Sequence, residues 1–178
     1  MTAATPESIA QAAAIIRAGG LVGFPTETVY GLGANALNAE AVRTIFAAKG
    51  RPGDNPLIVH VSRVEEILPL IRGDIPAAAR RLMDAYWPGP MTLIFPKSDL
   101  IPDAVSAGLD TVGIRLPSHE TARALIAESH CPIAAPSANR SGRPSPTTAQ
   151  HVLDDMDGRI PMILDGGPCS VGVESTVI

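Results

Sequence analysis

The stretch NAEAVRTIFAAKGRPGDNPLIVHV, residues 38–61, passes from helix signals to strand signals within one short segment. Asn38 is a good N-cap, and Gly50 is a good helix terminator. Between them, apolar residues recur with helical spacing at Val42, Ile45 and Phe46. The apolar run at 57–61 then predicts a strand. A helix over 39–49 followed by this strand is typical of an α/β protein.

The same alternation continues on both sides of this stretch. Further helices are predicted from Thr5 as N-cap to Gly19-Gly20, from a Ser62/Glu65 capping box toward Ile71, from Asp74 to near Trp87, and over 118–128 and 147–155. Further strands are predicted over 21–24, 91–95, 111–116, 133–135 and 161–164. The sequence therefore predicts an α/β fold whose twisted sheet is covered by helices, with a ligand pocket at the strand-end loops.

Charge and composition limit the partners of this chain of 178 residues. Its net charge of -4 and pI of about 5.5 argue against a general affinity for nucleic-acid backbones. Two locally basic segments, at 41–64 and 129–153, suit a confined anionic ligand better than a long polyanion. Three Phe, two Tyr and one Trp provide few platforms for stacking bases.

The cysteines and the N-terminus indicate the compartment. Cys131 and Cys169 are far apart and lie in no zinc-ligand spacing, which predicts reduced thiols. The N-terminus has no basic cluster followed by an apolar core, and no apolar run approaches the roughly 18 residues of a membrane span. The sequence predicts a cytoplasmic protein with no built-in metal centre and no membrane partner.

A glycine pattern at 31–36, Gly-Leu-Gly-Ala-Asn-Ala, matches the fingerprint of a dinucleotide-binding site, and Asp54 follows at nearly the spacing of a ribose-binding acid. Such an acid ends the second strand, whereas Asp54 precedes the strand at 57–61 and lies in a proline-rich loop. We therefore reject a dinucleotide site. The sequence also contains neither a phosphate-binding P-loop nor the nucleophile elbow of a hydrolase.

Four polar segments lie at or beside the ends of predicted strands. They read PTETVYGL at 25–32, KGRPGDNPL at 49–57, VGIR at 112–115 and APSANRSGRPS at 135–145. Ligands of open α/β sheets bind where strands give way to loops, so these segments are candidates for one pocket.

The second and fourth segments carry groups suited to phosphate. The planar guanidinium of Arg51 matches phosphate oxygens, whereas Lys49, in a last helical turn, also stabilises the helix dipole. Ser137, Asn139 and Ser145 offer neutral donors, although such residues are also ordinary in loops. Residue type alone leaves both interpretations open.

His60 and Arg115 are the remaining candidates. His60 faces away from the apolar residues of its strand, but a lone strand histidine is more often structural than a ligand contact. Arg115 is the only ionised residue in 111–119, in a run apolar enough to be buried, so it requires an anionic partner. A substrate carboxylate or phosphate, or an Asp or Glu elsewhere in the chain, would satisfy that need.

Together these segments resemble the YrdC family very closely, from about Ile9 to the last residue. The resemblance rests on PTETVYGLG, on the K-x-R and S-x-N pair, and on the ending GGPCSVGVESTVI. It implies a single YrdC-like catalytic domain over 1–178 with a twisted mixed β-sheet. It also implies a nucleotidyltransferase, threonylcarbamoyl-AMP synthase, which forms L-threonylcarbamoyladenylate and pyrophosphate from L-threonine, bicarbonate and ATP for the threonylcarbamoyladenosine modification of tRNA.

The resemblance also implies which residues bind each substrate. Threonine is expected to contact Thr28, His60, Arg115, the backbone at Ala135, and Ser175. ATP is expected to contact Arg51, Asn55, Thr111, Ser137, Asn139 and Ser145. Lys49 and Arg51 are the expected catalytic cations beside the phosphates. A bidentate pairing of Arg115 with a carboxylate agrees with its expected role.

One departure from the family concerns the C-terminal end. Family members continue past ESTVI with another strand and an arginine-bearing loop over the nucleotide, so the resemblance implies that this chain lacks its C-terminal end. Terminal residues fray unless they are tied down. Ser175 is therefore expected to be poorly held in such a fragment.

The implied reaction depends on positioning and on cations, with Mg²⁺ bridging the phosphates of ATP. Its implied downstream partners are tRNA threonylcarbamoyl-transferase proteins, and direct tRNA binding stays open. One alternative is carbamoyl-adenylate chemistry on another small substrate, against which the threonine-contact residues argue. The other is an RNA-binding or ribosome-assembly module, against which the acidic pI and the few aromatic residues argue.

Overall fold

Strands and helices alternate along the chain in the computed structural model, which describes residues 1–50 and 53–178. The strands are β1 (Thr2–Ala3), β2 (Val22–Phe24), β3 (Gly31–Asn35), β4 (Ile58–His60), β5 (Met91–Pro96), β6 (Thr111–Arg115), β7 (Ile133–Ala135), β8 (Met162–Asp165) and β9 (Thr176–Val177). The α-helices are α1 (Pro6–Arg17), α2 (Ala39–Lys49), α3 (Ala77–Tyr86), α4 (Asp103–Ser106), α5 (Glu120–Ser129) and α6 (Ala149–Met156). A 3-10 helix spans Val64–Leu70.

The strands of the described residues form one nine-stranded sheet in the order β1-β8-β2-β3-β7-β4-β6-β5-β9. The sheet contains both parallel and antiparallel strand pairs. For example, β4 runs parallel to β6 and antiparallel to β7. The predicted mixed α/β fold is therefore confirmed.

Local capping signals place the first two helices as predicted. The Thr5 side chain accepts a hydrogen bond from the Ser8 backbone N–H at the start of α1, which satisfies a donor that the helix leaves unpaired. Asn38 caps α2 in the same way, through its Oδ1 atom. Gly50 ends α2 with φ of 67°, a left-handed conformation that favours glycine.

The predicted Ser62/Glu65 capping box is wrong. Ser62 instead bonds the carboxylate of Glu66, through its backbone N–H at 2.8 Å and its hydroxyl at 2.7 Å. The segment that follows is a 3-10 helix, not an α-helix, and Pro69 within it lacks the N–H that an α-helical turn uses.

Strand β3 was not predicted, because its residues were considered only as a dinucleotide-binding glycine pattern; β1, α4 and β9 were missed as well. Packing explains the glycine at position 33. A Cβ atom on Gly33 would lie 2.8 Å from side-chain atoms of both Phe24 and Ile133. The glycine lets those side chains pack directly on the strand.

The two faces of the sheet are covered unequally. On one face, α2 and α6 bury a large core that includes Leu32, Val59 and Ile114. On the other face, α1 and α5 pack against each other and against β2 and β7, through residues such as Phe24 and Ile133. Beyond them, that second face carries the polar side chains of β4, β5 and β6, and this is where the candidate site lies.

Candidate active site

Strand register brings candidate residues onto one face of the sheet. Ile58 of β4 lies opposite Gly113 of β6 and Ala135 of β7. Two residues further along, His60 lies opposite Arg115. Residues two apart in a strand point to the same face, so these side chains share a single surface.

This surface forms one wall of a cavity of about 140 Å³. The predicted threonine contacts Thr28, His60, Arg115, Ala135 and Ser175 all line it, together with Ser137 from the predicted ATP set. Its volume is well below the roughly 300–1,000 Å³ of a typical drug-sized site. The structure therefore brings the predicted amino-acid contacts together in a space suited to a small molecule.

Arg115 is 3% exposed and has its anionic partner within the chain. Its Nη2 atom lies 2.7 Å from Oε1 of Glu27, although the direction of approach leaves Nη2 and both Glu27 oxygens without a regular hydrogen bond. Nη1 donates to the Thr28 hydroxyl at 2.9 Å, and Nε donates to the Gly89 carbonyl at 3.3 Å. The intramolecular alternative left open for Arg115 is thus confirmed, and its contact with a substrate stays a prediction.

Thr28 is fully buried, and Thr26 sets its position. The Thr26 hydroxyl donates to the Val29 carbonyl at 2.6 Å and lies 2.9 Å from the Thr28 hydroxyl. Such a short side-chain-to-backbone bond shapes a tight loop. In this loop the Thr28 hydroxyl lies 2.9 Å from Nη1 of Arg115.

His60 is 4% exposed, and its ring lies edge-on to Phe24 with centroids 6.2 Å apart. Its buried Nδ1 atom makes no hydrogen bond of regular geometry. Burial, followed by the positive charge of Arg115, lowers the pKa of His60 to about 3. The imidazole is therefore neutral at neutral pH.

Ser175 is held at the cavity, contrary to the expectation that it frays. Its hydroxyl lies 2.8 Å from the hydroxyl of Thr92, the residue opposite Arg115 in the β5–β6 pair. The following strand β9 pairs in parallel with β5 and fixes the backbone beyond Ser175. The sequence reading missed this strand because it comprises only Thr176–Val177.

Lys49 is 3% exposed and holds the loop that follows β7. Its Nζ donates to the carbonyls of Ser137 and Asn139 at 2.5 and 2.7 Å, and to Asn139 Oδ1 at 3.3 Å. The Asn139 amide in turn donates to the Arg140 and Arg143 carbonyls. Lys49 and Asn139 thus shape this loop, and their expected contact with phosphates stays a prediction.

The other predicted ATP contacts are more exposed. Asn55 is exposed, Thr111 is partly buried at the start of β6, and the Ser145 hydroxyl donates to Glu174 at 2.5 Å. Arg51 lies outside the described residues. These contacts stay predictions.

Sequence reasoning also missed Glu27, Thr92 and Glu174. Glu27 lies inside the PTET motif, where a single acid in an otherwise uncharged stretch was the available signal of a buried ion pair. Thr92 and Glu174 gave no comparable signal, because their contacts with Ser175 and Ser145 join segments that lie far apart in the sequence.

The remaining chemical features concern the cysteines, possible metal ligands and possible membrane-spanning helices. Cys131 and Cys169 are free thiols, as predicted, and burial raises the pKa of each to about 11. Among residues 1–50 and 53–178, no three His, Cys, Asp or Glu side chains come together to hold a metal ion. Over the same ranges, no helix has the length and apolar character needed to cross a bilayer.

Comparison with known proteins finds a matching family model and several similar proteins. The Sua5/YciO/YrdC family model, described as "Telomere recombination", matches residues 14–178. The threonylcarbamoyl-AMP synthase of Bacillus subtilis is 59% identical over 171 residues, or 96% of this chain and 49% of that relative. The threonylcarbamoyl-AMP synthase of Pyrococcus abyssi is 58% identical over 167 residues, with coverages of 94% and 49%.

A solved structure supports the same relationship. The crystal structure of Pyrococcus abyssi Sua5 complexed with L-threonine has a TM-score of 0.95 and 56% identity, and the match covers 98% of this chain and 51% of that one. The chain thus spans about half the length of the curated relatives described here.

Proposed function

The chain belongs to the Sua5/YciO/YrdC family, and we propose that it forms L-threonylcarbamoyladenylate and pyrophosphate from ATP, L-threonine and bicarbonate. The observation that carries this proposal is the meeting of Arg115, Thr28, His60 and Ser175 in one small cavity. A guanidinium offers paired N–H groups to a carboxylate, and neighbouring hydroxyls offer partners to a β-hydroxy amino acid. The homologous Sua5 structure with L-threonine supports this assignment.

The reaction requires little covalent chemistry from the protein. The threonine amine takes up bicarbonate as a carbamate with loss of water, and a carbamate oxygen then attacks the α-phosphorus of ATP and expels pyrophosphate. In this proposal, Arg115 and Ser175 hold the amino acid, and Ser137 at the same cavity lies toward the nucleotide. Catalysis then depends on bringing the reacting atoms together.

Magnesium would enter with the nucleotide. Because the described residues contain no three-ligand metal cluster, they fit an ion that the ATP phosphates carry better than a resident ion in a protein cage. Bound there, Mg²⁺ would offset the phosphate charge. Arg51 and Lys49 are the protein cations proposed to share that task.

The product would be passed to tRNA threonylcarbamoyl-transferase proteins, since an acyl adenylate is an activated group donor. Two free cysteines are compatible with the reducing cytoplasm, where we place this step.

The decisive experiment analyses products by mass spectrometry after incubation of the chain with ATP, threonine and bicarbonate. We expect threonylcarbamoyladenylate and pyrophosphate, and neither when any one component is omitted. Inorganic phosphate with ADP, or pyrophosphate without threonine, would contradict the proposal. Calorimetry with threonine alone tests the binding step separately from turnover, and a salt-dependent gel shift with bare tRNA tests the RNA-binding alternative.

A further inference from the structure

The cavity contains one acid whose role the proposed function leaves open. Among the described residues that line it, Glu174 is the only carboxylate and Arg115 is the only arginine or lysine. A free amino acid also carries one negative and one positive end. Because Glu27 already balances the charge of Arg115, the negative charge of Glu174 remains for a positively charged group of the ligand to offset.

The position of Glu174 follows from the segment that carries it. At one end of this segment, the Gly172 backbone N–H donates to the Thr28 carbonyl at 3.0 Å. At the other end, the Ser175 hydroxyl lies 2.8 Å from that of Thr92, the residue opposite Arg115 in the sheet. Glu174 thus lies on a short bridge between two walls of the cavity.

Glu174 already has one partner. Its carboxylate accepts a hydrogen bond of 2.5 Å from Ser145, which the family resemblance assigns to ATP. That bond, followed by one from its own backbone, lowers the pKa of Glu174, so the side chain is ionised at neutral pH.

We propose that Glu174 accepts a hydrogen bond from the α-nitrogen of the amino-acid substrate through the carboxylate oxygen to which Ser145 does not donate. This inference rests on the proposed function. Arg115 takes the carboxylate of the substrate, and Glu174 takes the N–H groups at the other end of the same α-carbon. The contact serves both the ammonium and the carbamate, because each retains an N–H donor.

The proposal gives Ser145 and Glu174 different effects. Loss of the Glu174 charge weakens the acceptor for the substrate nitrogen. Loss of the Ser145 hydroxyl leaves that acceptor in place. A purely structural bridge between the two residues would instead weaken threonine binding in both variants.

The test compares threonine with (R)-3-hydroxybutanoate, which is L-threonine without its amino group. Calorimetry without ATP is carried out on the wild type, Glu174→Gln and Ser145→Ala. We expect the wild type to prefer threonine, and Glu174→Gln to lose about ten-fold of that preference, a typical effect of one charged hydrogen bond. We expect Ser145→Ala to keep the preference of the wild type for threonine, because the Glu174 carboxylate remains. Glu65→Gln removes an exposed charge outside the cavity and is the matched control.

The ratio of the two affinities does not depend on how much of a variant is folded, so a folding defect cannot imitate the result. A Glu174→Gln ratio equal to that of the wild type overturns the nitrogen contact. A preference that is lost in Ser145→Ala as well as in Glu174→Gln overturns the direct contact, because it indicates a structural bridge between the two residues. A wild type that binds neither ligand contradicts the proposed function itself, which separates the two failures.

Discussion

Two regions of the proposed site are built differently: the threonine contacts that line the cavity, here called the amino-acid end, and the expected ATP contacts outside its lining, here called the nucleotide end. At the amino-acid end, Thr28, His60 and Arg115 are each at most 4% exposed, and strand register or short hydrogen bonds set their positions. At the nucleotide end, the expected contacts Asn55 and Ser145 lie on loops and are more exposed. The Lys49 ammonium and the Asn139 amide hold the loop after β7, and the Asp155 carboxylate accepts further bonds from it.

This difference predicts different costs of binding. A side chain that strands already hold loses little conformational freedom when a ligand arrives, whereas a loop side chain must be ordered at that moment. The amino-acid end is thus prepared for its ligand before binding. Variants at that end are expected to change stability and threonine affinity together, and variants at the nucleotide end are expected to act mainly on ATP.

The largest effect is expected from Arg115→Ala. This change leaves Glu27 buried without its counter-ion, and breaking a buried pair costs about 3–5 kcal/mol in the free energy of unfolding. Separately, the free energy of threonine binding is expected to weaken by about 2–5 kcal/mol, because the carboxylate of threonine loses a charged partner. Urea unfolding and calorimetry measure the two quantities, and ATP affinity serves as the internal reference.

A double variant separates the two losses. Arg115→Met combined with Glu27→Gln removes both charges, so we expect it to recover most of the stability but none of the threonine affinity. If Arg115→Ala is as stable as the wild type, the amino-acid end is not organised around this ion pair.

The second effect is a pH dependence due to His60. Its folded pKa of about 3 lies below the ordinary value of 6.5, so folding favours the neutral ring. The stability from this residue is fully present above pH 6.5 and is lost as pH falls toward 3, by at most about 1.4 kcal/mol per pH unit. Between about pH 7 and pH 5 we expect a loss of roughly 2 kcal/mol.

Urea unfolding of the wild type and His60→Asn at both pH values checks this loss. Burial also lowers the pKa of His119, which acts in the same direction, so the difference between the two proteins isolates His60. Equal pH slopes for the two proteins would mean that His60 has no such role.

At the nucleotide end, Lys49→Met is expected to cost about 1–2 kcal/mol, because it removes donors from the buried carbonyls of Ser137 and Asn139. ATP affinity is expected to fall more than threonine affinity, since the loop after β7 loses its support. Lys97→Met, which removes a lysine bonded to Asp103 and Ile101 outside the cavity, is the control for both calorimetric titrations. Equal losses for the two ligands would erase the distinction between the ends.

Local signals account for most of the correct sequence predictions. The caps at Thr5 and Asn38 and the terminator Gly50 act within a few residues, and each was located correctly. The errors involve distant contacts. Gly33 belongs to a strand that pairs with β2, where Phe24 and Ile133 leave no room for a Cβ atom, and no pattern within 31–36 contains that information.

The same limit applies to the site. The motifs identified Arg115 and Lys49 as important cations, but not their partners, which lie in other segments of the chain. The Glu27–Arg115 pair forms only when the loop after β2 meets β6. The family resemblance predicted the threonine contacts that line the cavity, whereas the bonds among them required the folded chain.

The smallest expected effect, that of Ser175→Ala, tests what holds the last segment of the amino-acid end. Backbone bonds link Thr176 to Pro90 and Ile178 to Thr92, and they do not involve the serine side chain. We therefore expect the variant to lose only the hydroxyl contact with Thr92, which reduces threonine affinity by about 0.5–1.5 kcal/mol, while β9 stays paired. Hydrogen exchange at the amides of Thr176 and Ile178 distinguishes the two supports, because paired amides remain protected. If these amides exchange faster in Ser175→Ala, the side chain and not the strand holds the segment, and this part of the amino-acid end then resembles the nucleotide end.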